Sequence, residues 1–119
     1  MNAILSIKPQ YVEEIMAGTK KFEYRKSVFK RPVKKVYIYA SAPVSMIVGE
    51  FEVAQILEST PTLVWQQTKD FSGIKKVWFD QYYAGRNTAY AIGIKNLYIY
   101  STPIVLTCPA PQSFCYTDK

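Results

Sequence analysis

Short runs of β-branched and aromatic residues, bounded by turn-forming residues, recur along most of this 119-residue chain. Such runs are typical of β-strands. Six or seven strands are expected, at residues 4–7, 21–25, 35–40, 46–53, 88–95, 97–100 and 104–107, and residues 113–116 could add a last one. Residues 55–57 either extend the fourth strand or form a bulge. Because helical patterns occupy only two places, the sequence predicts an α+β domain whose largely antiparallel strands close into a small barrel.

About three helices are predicted between these strands. The first begins at Pro9, since proline suits the first helical position, and ends at Gly18, a residue that supplies a left-handed cap. Thr60-Pro61 is the start of the second, which runs to residue 68. The third is expected after Ser72-Gly73 and before Gly85, with an apolar face of Ile74, Val77, Trp78 and Tyr82.

The strand predicted at residues 88–95 has one bulky side and one very small side. The small side consists of Ala89, Ala91 and Gly93. A side this small allows another part of the structure to approach closely. We expect a helix to lie there, with a ligand as the second possibility. Asn96 then permits a turn into the next strand.

Length and hydropathy favour a single domain over residues 1–119 without a membrane anchor. No window approaches the roughly 18 uninterrupted apolar residues that span a bilayer, and the first residues lead into a strand-like run rather than a signal peptide. We therefore expect a soluble cytoplasmic protein.

The chain has no histidine and only two cysteines, Cys108 and Cys115. Their spacing matches no zinc motif, so no metal site and no cofactor are predicted. A disulfide between them is geometrically possible, but two unpaired thiols are favoured. Without histidine, Ser-His-Asp and Cys-His triads are excluded, and any catalysis would use Lys, Glu, Asp, Tyr, Ser or Thr.

The excess positive charge belongs to the first third of the chain. The formal net charge is +6; residues 1–35 carry nine Lys and Arg against three Glu, and the remaining residues are balanced. A basic region of this kind attracts polyanions, of which nucleic acid is the commonest.

The residues that join the first helix to the second strand combine charge with strand alternation. They read Gly18-Thr19-Lys20-Lys21-Phe22-Glu23-Tyr24-Arg25, or G-x-K-x-x-E-x-R. Lys20 is expected in the turn, and Glu23 and Arg25 on one face of the strand, because same-face residues in a strand are two apart. A carboxylate held between two cations can orient basic groups toward a phosphate or the polar edge of a base. A structural ion pair on a solvated strand is the alternative.

Several stretches together resemble the ASCH domains of the PUA-like superfamily. They are residues 4–9, 18–25, 37–41, 49–51, 79–94 and 111–114, and they span nearly the whole chain. The resemblance implies a pseudo-barrel of mixed strands, with a cleft between the first helix, the G-x-K-x-x-E-x-R turn and the barrel rim. It also implies RNA binding, or regulation of transcription or translation.

This chain resembles the ASCH domains that are enzymes only in part. One ASCH branch hydrolyses the acetyl-amide of N4-acetylcytidine with a lysine, a threonine and a glutamate. The lysine matches Lys20, but Glu23 stands at the position of the threonine, and residues 68–70, where the glutamate would fall, contain no Glu. The resemblance therefore does not carry this activity over. Metal-assisted RNA cleavage, a second activity of ASCH domains, would need Glu23 to converge with Asp70 or Asp80.

These observations predict a binding module for single-stranded RNA or a modified nucleobase, with DNA as an open alternative. The basic first third would hold phosphates, and aromatic residues of the cleft would stack on bases. We expect Lys20→Ala and Arg25→Ala to weaken oligonucleotide binding with little change in thermal stability. The expected binding residues are Lys8, Lys20, Glu23, Arg25, Tyr39, Ser41, Gln112, Ser113 and Phe114, with core packing as the alternative for Tyr39 and Phe114.

Two other functions stay open. A small hydrolase or nuclease acting on RNA or a modified nucleoside would use Lys20 and Glu23, because a buried lysine with a depressed pKa can act as a base. A regulator that binds a protein through surface aromatics would depend little on salt, whereas RNA binding weakens steeply with it. The sequence does not specify the oligomeric state.

Overall fold

A single curled sheet of six strands forms the frame of the protein. The computed structural model describes residues 1–118. Its elements in chain order are β1 (Asn2–Ile7), α1 (Pro9–Ala17), β2 (Phe22–Arg25), β3 (Lys35–Ala40), β4 (Met46–Ser59), α2 (Pro61–Thr68), a 3-10 turn (Lys69–Phe71), α3 (Lys76–Tyr82), β5 (Ala89–Ile104) and β6 (Phe114–Thr117).

The strand order across the sheet is β2-β5-β4-β3-β1-β6. In the part of the chain that the structure describes, β1 and β3 form the one parallel pair and the other pairs are antiparallel. The predicted α+β fold with mixed strands is therefore confirmed. The sheet curls into a half-barrel and does not close fully, because β2 and β6 remain its two edges in the described part of the chain.

The predicted helix ends are confirmed for α1 and α2. Pro9 is the first residue of α1, and Gly18 caps its end at φ +82°, with its N–H donating to the carbonyls of Glu14 and Ile15. The Thr60 side chain accepts a hydrogen bond from the Leu63 N–H at the start of α2. These local signals succeed because each cap satisfies backbone groups within one turn of itself.

Residues 97–100 form a strand as predicted, but the turn predicted before them and the separate strand predicted at residues 104–107 were wrong. Instead of turning at Asn96, the chain continues as the single 16-residue strand β5. Glu50 pairs with Tyr98 and Glu52 with Lys95, so β5 has one more residue than β4 between these pairs. Asn96, at φ +51°, lies in this bulge. Asparagine tolerates the left-handed conformation that the bulge needs.

Strand β4 carries a bulge of the opposite kind. Val53 pairs with Ile94 and Ile56 with Ile92, so the extra residue here lies on β4. Residues 55–57 therefore extend the strand, and Gln55 lies within the bulge between Val53 and Ile56. Residues 105–107 lie outside any strand.

The apolar face predicted for the third helix was also wrong. Ile74 precedes α3, which starts at Lys76. The helix buries Phe79, whereas Val77 and Trp78 are 53% and 54% exposed and Tyr82 is also exposed. The tertiary structure thus turns the Phe79 face of α3 inward, and Trp78 and Tyr82 become surface residues.

Helices pack against the sheet in two of its apolar clusters. In the larger cluster, α1 contributes Val12 and Ile15, which pack against Leu5, Ile38 and other buried strand residues. In the second cluster Val64 of α2 packs with Ala89 and Ala91 of β5. A helix therefore packs against the small side of this strand, as expected. Among the described residues, no helix is both long enough and apolar enough to cross a membrane.

Candidate functional site

A cavity of about 530 Å³ opens where the end of β1, the start of α1, strand β2 and helix α3 meet. Its wall includes Lys20, Glu23 and Arg25 of the G-x-K-x-x-E-x-R stretch, together with aromatic residues from α1 and α3. The lining residues are Ser6, Ile7, Lys8, Tyr11, Lys20, Glu23, Tyr24, Arg25, Ser41, Ile74, Trp78, Gln81, Tyr82 and Gln112.

Glu23 and Arg25 form a largely buried ion pair in this wall. The distance from Arg25 Nη2 to Glu23 Oε2 is 3.0 Å, and the two side chains are 12% and 8% exposed. They meet because residues two apart in β2 share a face. Such a pair fixes the orientation of the carboxylate at the cavity surface.

Arg25 also bridges the gap between the two ends of the sheet. From the edge strand β2, its Nη1 donates to Ser113 Oγ at 3.3 Å, and its Nη2 donates to the carbonyl oxygen of Ser6. Ser6 belongs to β1, and its N–H donates to the Ser113 carbonyl at 2.9 Å. One guanidinium therefore links the two sides of the open barrel beside the cavity.

Lys20 is the most deeply buried charged residue of the site, with 3% of its surface exposed. Its Nζ donates to the Ser72 carbonyl at 2.9 Å and lies over the rings of Tyr24 and Tyr11, at 4.6 and 5.2 Å. Burial lowers the pKa of Lys20, Arg25 lowers it further, and Glu23 opposes the shift. A lysine in these surroundings gives up its proton more readily than one in water.

The tyrosines beside Lys20 are held neutral. Tyr24 Oη lies 2.7 Å from Thr68 Oγ1, and Thr68 Oγ1 is 2.7 Å from the Val64 carbonyl, to which it donates. Because the threonine has one hydroxyl proton, Tyr24 is the donor of its pair. Burial raises the pKa of Tyr24 to about 12 and also raises that of Tyr11. Neither phenol is suited to act as a base at neutral pH.

Helix α3 supplies the aromatic wall of the cavity. Trp78 and Tyr82 are four residues apart and therefore lie on the same helix face. The Tyr82 ring contacts Tyr83 edge-on, with centroids 4.8 Å apart, and Lys26 Nζ lies 4.7 Å from its centre. These flat, partly exposed rings are suited to stacking on a planar ligand.

The structure places most of the predicted binding residues at this cavity. Lys8, Lys20, Glu23, Arg25, Ser41 and Gln112 line it, and Ser113 contacts Arg25. Two predicted residues have other surroundings and are not among the lining residues in the described chain. Tyr39 packs with Ile4 and Ile47, and Phe114 contacts Phe29 edge-on at 4.9 Å. For both residues, core packing is the alternative that the structure supports.

Sequence reasoning missed the wall formed by Tyr11, Ile74, Trp78, Gln81 and Tyr82. Helical periodicity assigned Trp78 and Tyr82 to the core. A usable signal was present, because Phe79 and Tyr83 make a second apolar face on the same short segment. Packing against the core requires only one apolar face of a helix, so a helix with two aromatic faces leaves one of them outside the core.

The carboxylates that a metal-assisted reaction would need do not converge on Glu23. Asp80 pairs with Lys76 at 2.8 Å, Asp70 lies in the 3-10 turn, and neither lines the cavity. Within residues 1–118 there is no cluster of three or more His, Cys, Asp and Glu arranged to hold a metal ion. Cys108 and Cys115 are both free thiols.

Comparison with known protein families shows to which family the chain belongs. The ASCH domain pattern matches residues 5–98. The chain belongs to the ASCH domain family. The ASCH protein of Zymomonas mobilis superposes with a TM-score of 0.90 at 21% identity, covering 99% of this chain and 88% of that one. A single-substitution variant of it gives a TM-score of 0.88 at the same identity, covering 99% and 91%. At this identity the likeness establishes the shared fold.

Two similar sequences occur as segments of much longer proteins of Ureaplasma parvum serovar 3. The large ribosomal subunit protein uL22 is 31% identical over 71 residues, which cover 60% of this chain and 23% of that protein. The ATP synthase subunit alpha is 27% identical over 118 residues, which cover 95% of this chain and 15% of that protein. The ASCH chain therefore spans less than a quarter of the length of either relative.

Proposed function

We propose that this ASCH domain binds RNA by taking one nucleobase into the cavity, either unstacked from a single strand or carried by a modified nucleoside. The observation that carries the proposal is that the buried Lys20 and Glu23 and the largely buried Arg25 meet at a cavity with aromatic walls. A site of about 530 Å³ lies within the range typical of small-molecule pockets, roughly 300–1,000 Å³.

The carboxylate of Glu23 favours a base rather than a phosphate inside the cavity. A phosphate would be repelled by an ionised carboxylate, whereas the amino group of a base donates a hydrogen bond to it, as cytosine N4 does to glutamate or aspartate. The Arg25 guanidinium beside it is donor-only. Glu23 and Arg25 thus offer an acceptor next to a donor, which complements a base edge carrying both an amine and a ring acceptor.

The aromatic wall and the basic surroundings supply the remaining binding energy. A base that stacks on an aromatic side chain gains about 1–3 kcal/mol, and Trp78 and Tyr82 are both exposed at the cavity. Lys8 is exposed in the same wall and suits the phosphates outside. The two relatives are named as a ribosomal subunit protein and an ATP synthase subunit, and these names do not point to a common ligand. The proposal therefore depends on the cavity and its charges. A regulatory role in transcription or translation would follow from such binding.

Equilibrium binding to short homopolymers tests this function. Fluorescence anisotropy with eight-residue oligo(rC), oligo(rA), oligo(rU) and oligo(dC) is measured at 50, 100 and 200 mM salt. We expect oligo(rC) and oligo(rA) to bind more tightly than oligo(rU), which lacks an exocyclic amine, and all affinities to fall with salt. The comparison of oligo(rC) with oligo(dC) decides between RNA and DNA. Salt-independent binding, or no binding at any salt, would contradict the proposal.

The lowered pKa of Lys20 favours one alternative, hydrolysis of RNA or of a modified nucleoside. In that function neutral Lys20 would act as a base toward water, and Glu23 would orient the substrate. The test is product formation from RNA oligomers and acylated nucleosides across pH 6–10. A rate that rises with the deprotonation of Lys20 and is abolished by Lys20→Met would support catalysis.

A further inference from the structure

A second cavity of about 470 Å³ adjoins the first. Lys8, Tyr11, Ile74 and Trp78 line both cavities. Four shared residues make the two cavities neighbouring compartments of one groove. Each compartment has the volume of a small-molecule site, so the groove as a whole is larger than one base requires.

We infer that this groove holds two consecutive nucleotides of a single strand. The base of one enters the first cavity beside Glu23. The neighbouring nucleotide lies in the second cavity against Gln10 and Lys75, with the linking phosphate near Lys8. This inference rests on the proposed function and adds to it a ligand length and a second set of binding residues.

Each compartment contains one carboxylate, Glu23 in the first and Glu14 in the second, so the two differ in the burial of their cations. Lys20 of the first cavity is 3% exposed, whereas Lys8 and Lys75 of the second cavity are exposed. Exposed lysines can bind a phosphate without losing buried contacts. Phosphate and sugar are therefore better accommodated in the second compartment, and a base edge in the first.

Trp78 lies where the two compartments meet. It lines both cavities while remaining 54% exposed, so one face of its indole is open to a ligand. Aromatic rings in single-strand binding sites carry successive bases in this way. Lys8, which is also common to both walls, is placed beside the bond that joins the two nucleotides.

Binding of the full chain to CMP, CpC and CpCpC tests the inference, with AMP and ApA in parallel. CpC carries less phosphate charge than CMP, so tighter binding of CpC cannot come from charge alone. We expect CpC to bind roughly tenfold more tightly than CMP, the gain from one additional stacked base, and CpCpC to bind no more tightly than CpC. Lys75→Glu should weaken the binding of CpC by a larger factor than that of CMP, because only CpC places a second nucleoside in the second compartment.

Lys69→Glu is the matched control, because it makes the same charge change outside both cavities and should leave both affinities unchanged. If CMP binds and CpC binds no more tightly, the inference is wrong and the proposed function stands. If Lys75→Glu weakens CMP and CpC equally, the second compartment is not a separate subsite. If none of these ligands binds, the proposed function itself fails.

Discussion

Gly73 lies directly against the side chain of Lys20. A Cβ atom at position 73 would come within 2.4 Å of Lys20 Cβ, which is closer than non-bonded contacts of Cβ atoms come in proteins. Gly73 also has φ +62°, in the left-handed region. The backbone that leads into α3 is therefore constrained twice at this position, by its conformation and by the buried lysine beside it.

We predict that Gly73→Ala destabilises the protein more than Gly85→Ala does. Both glycines have positive φ, but a Cβ added at Gly85 would have no atom within 4 Å of it. Gly85→Ala should cost about 1–2 kcal/mol from backbone strain alone, and Gly73→Ala a further 1–3 kcal/mol or so from overpacking. Urea denaturation of both variants measures the difference. Equal losses would show that the Lys20 contact is easily relieved.

Arg25→Ala is predicted to lower stability, in contrast to the expectation from sequence alone. The substitution leaves Glu23 without its cation and removes the bridge to Ser6 and Ser113. We expect a loss of about 1–3 kcal/mol in the free energy of unfolding. Arg31→Ala is the control, because Arg31 is exposed and its guanidinium lies over the half-buried Tyr116 ring, 5.1 Å from the centre of that ring. Similar losses of unfolding free energy in both variants would mean that the bridge made by Arg25 adds nothing specific to stability.

Trp78→Ala should weaken oligonucleotide binding with little effect on folding. Val77 offers a matched control, since it is the preceding residue of α3 and equally exposed, at 53% against 54%, yet lies outside the cavity wall. Loss of one stacking surface should cost about 1–3 kcal/mol of binding free energy. Val77→Ala should leave binding unchanged. The measurement is fluorescence anisotropy alongside thermal melting, and equal effects on binding would place the ligand elsewhere.

The stability of the protein relative to Lys20→Met should depend on pH. Burial, the largest cause, sets the folded pKa of Lys20 below its ordinary value of 10.5. Between the folded and unfolded pKa values the unfolded chain binds more protons, so folding is favoured as pH rises. The free energy of unfolding of the wild type should therefore increase relative to that of Lys20→Met as pH rises toward 10.5. Urea denaturation from neutral pH up to that value measures this, and a constant difference would mean that the pKa of Lys20 is not shifted.

Much of the local structure was predictable, because its causes lie within a few residues. The ends of α1 follow from Pro9 and Gly18, and Glu23 meets Arg25 because alternate residues of a strand share a face. Asn96 is recognisable as a residue that tolerates positive φ, but the sequence does not reveal whether such a residue makes a turn or a bulge. The strand β4, paired alongside, decides that Asn96 makes a bulge within β5.

The candidate site was predictable where it belongs to one segment and not where distant segments meet. Lys20, Glu23 and Arg25 lie within six residues of one another, and their proximity follows from chain geometry. Trp78 reaches the same cavity only because the neighbouring face of α3, which carries Phe79, packs against Val64 and Tyr24. Periodicity cannot say which of two aromatic faces is buried, since both have the same spacing.

By itself, the sequence determined the α+β class, the charged turn and the family to which the chain belongs, because caps, strand alternation and motif spacing act over short distances. The tertiary structure alone decided that the sheet stays open between β2 and β6, that Arg25 spans the gap, and that α3 presents Trp78 to the cavity. These outcomes depend on which surfaces exclude water against one another, and that is settled by packing between segments far apart in the chain.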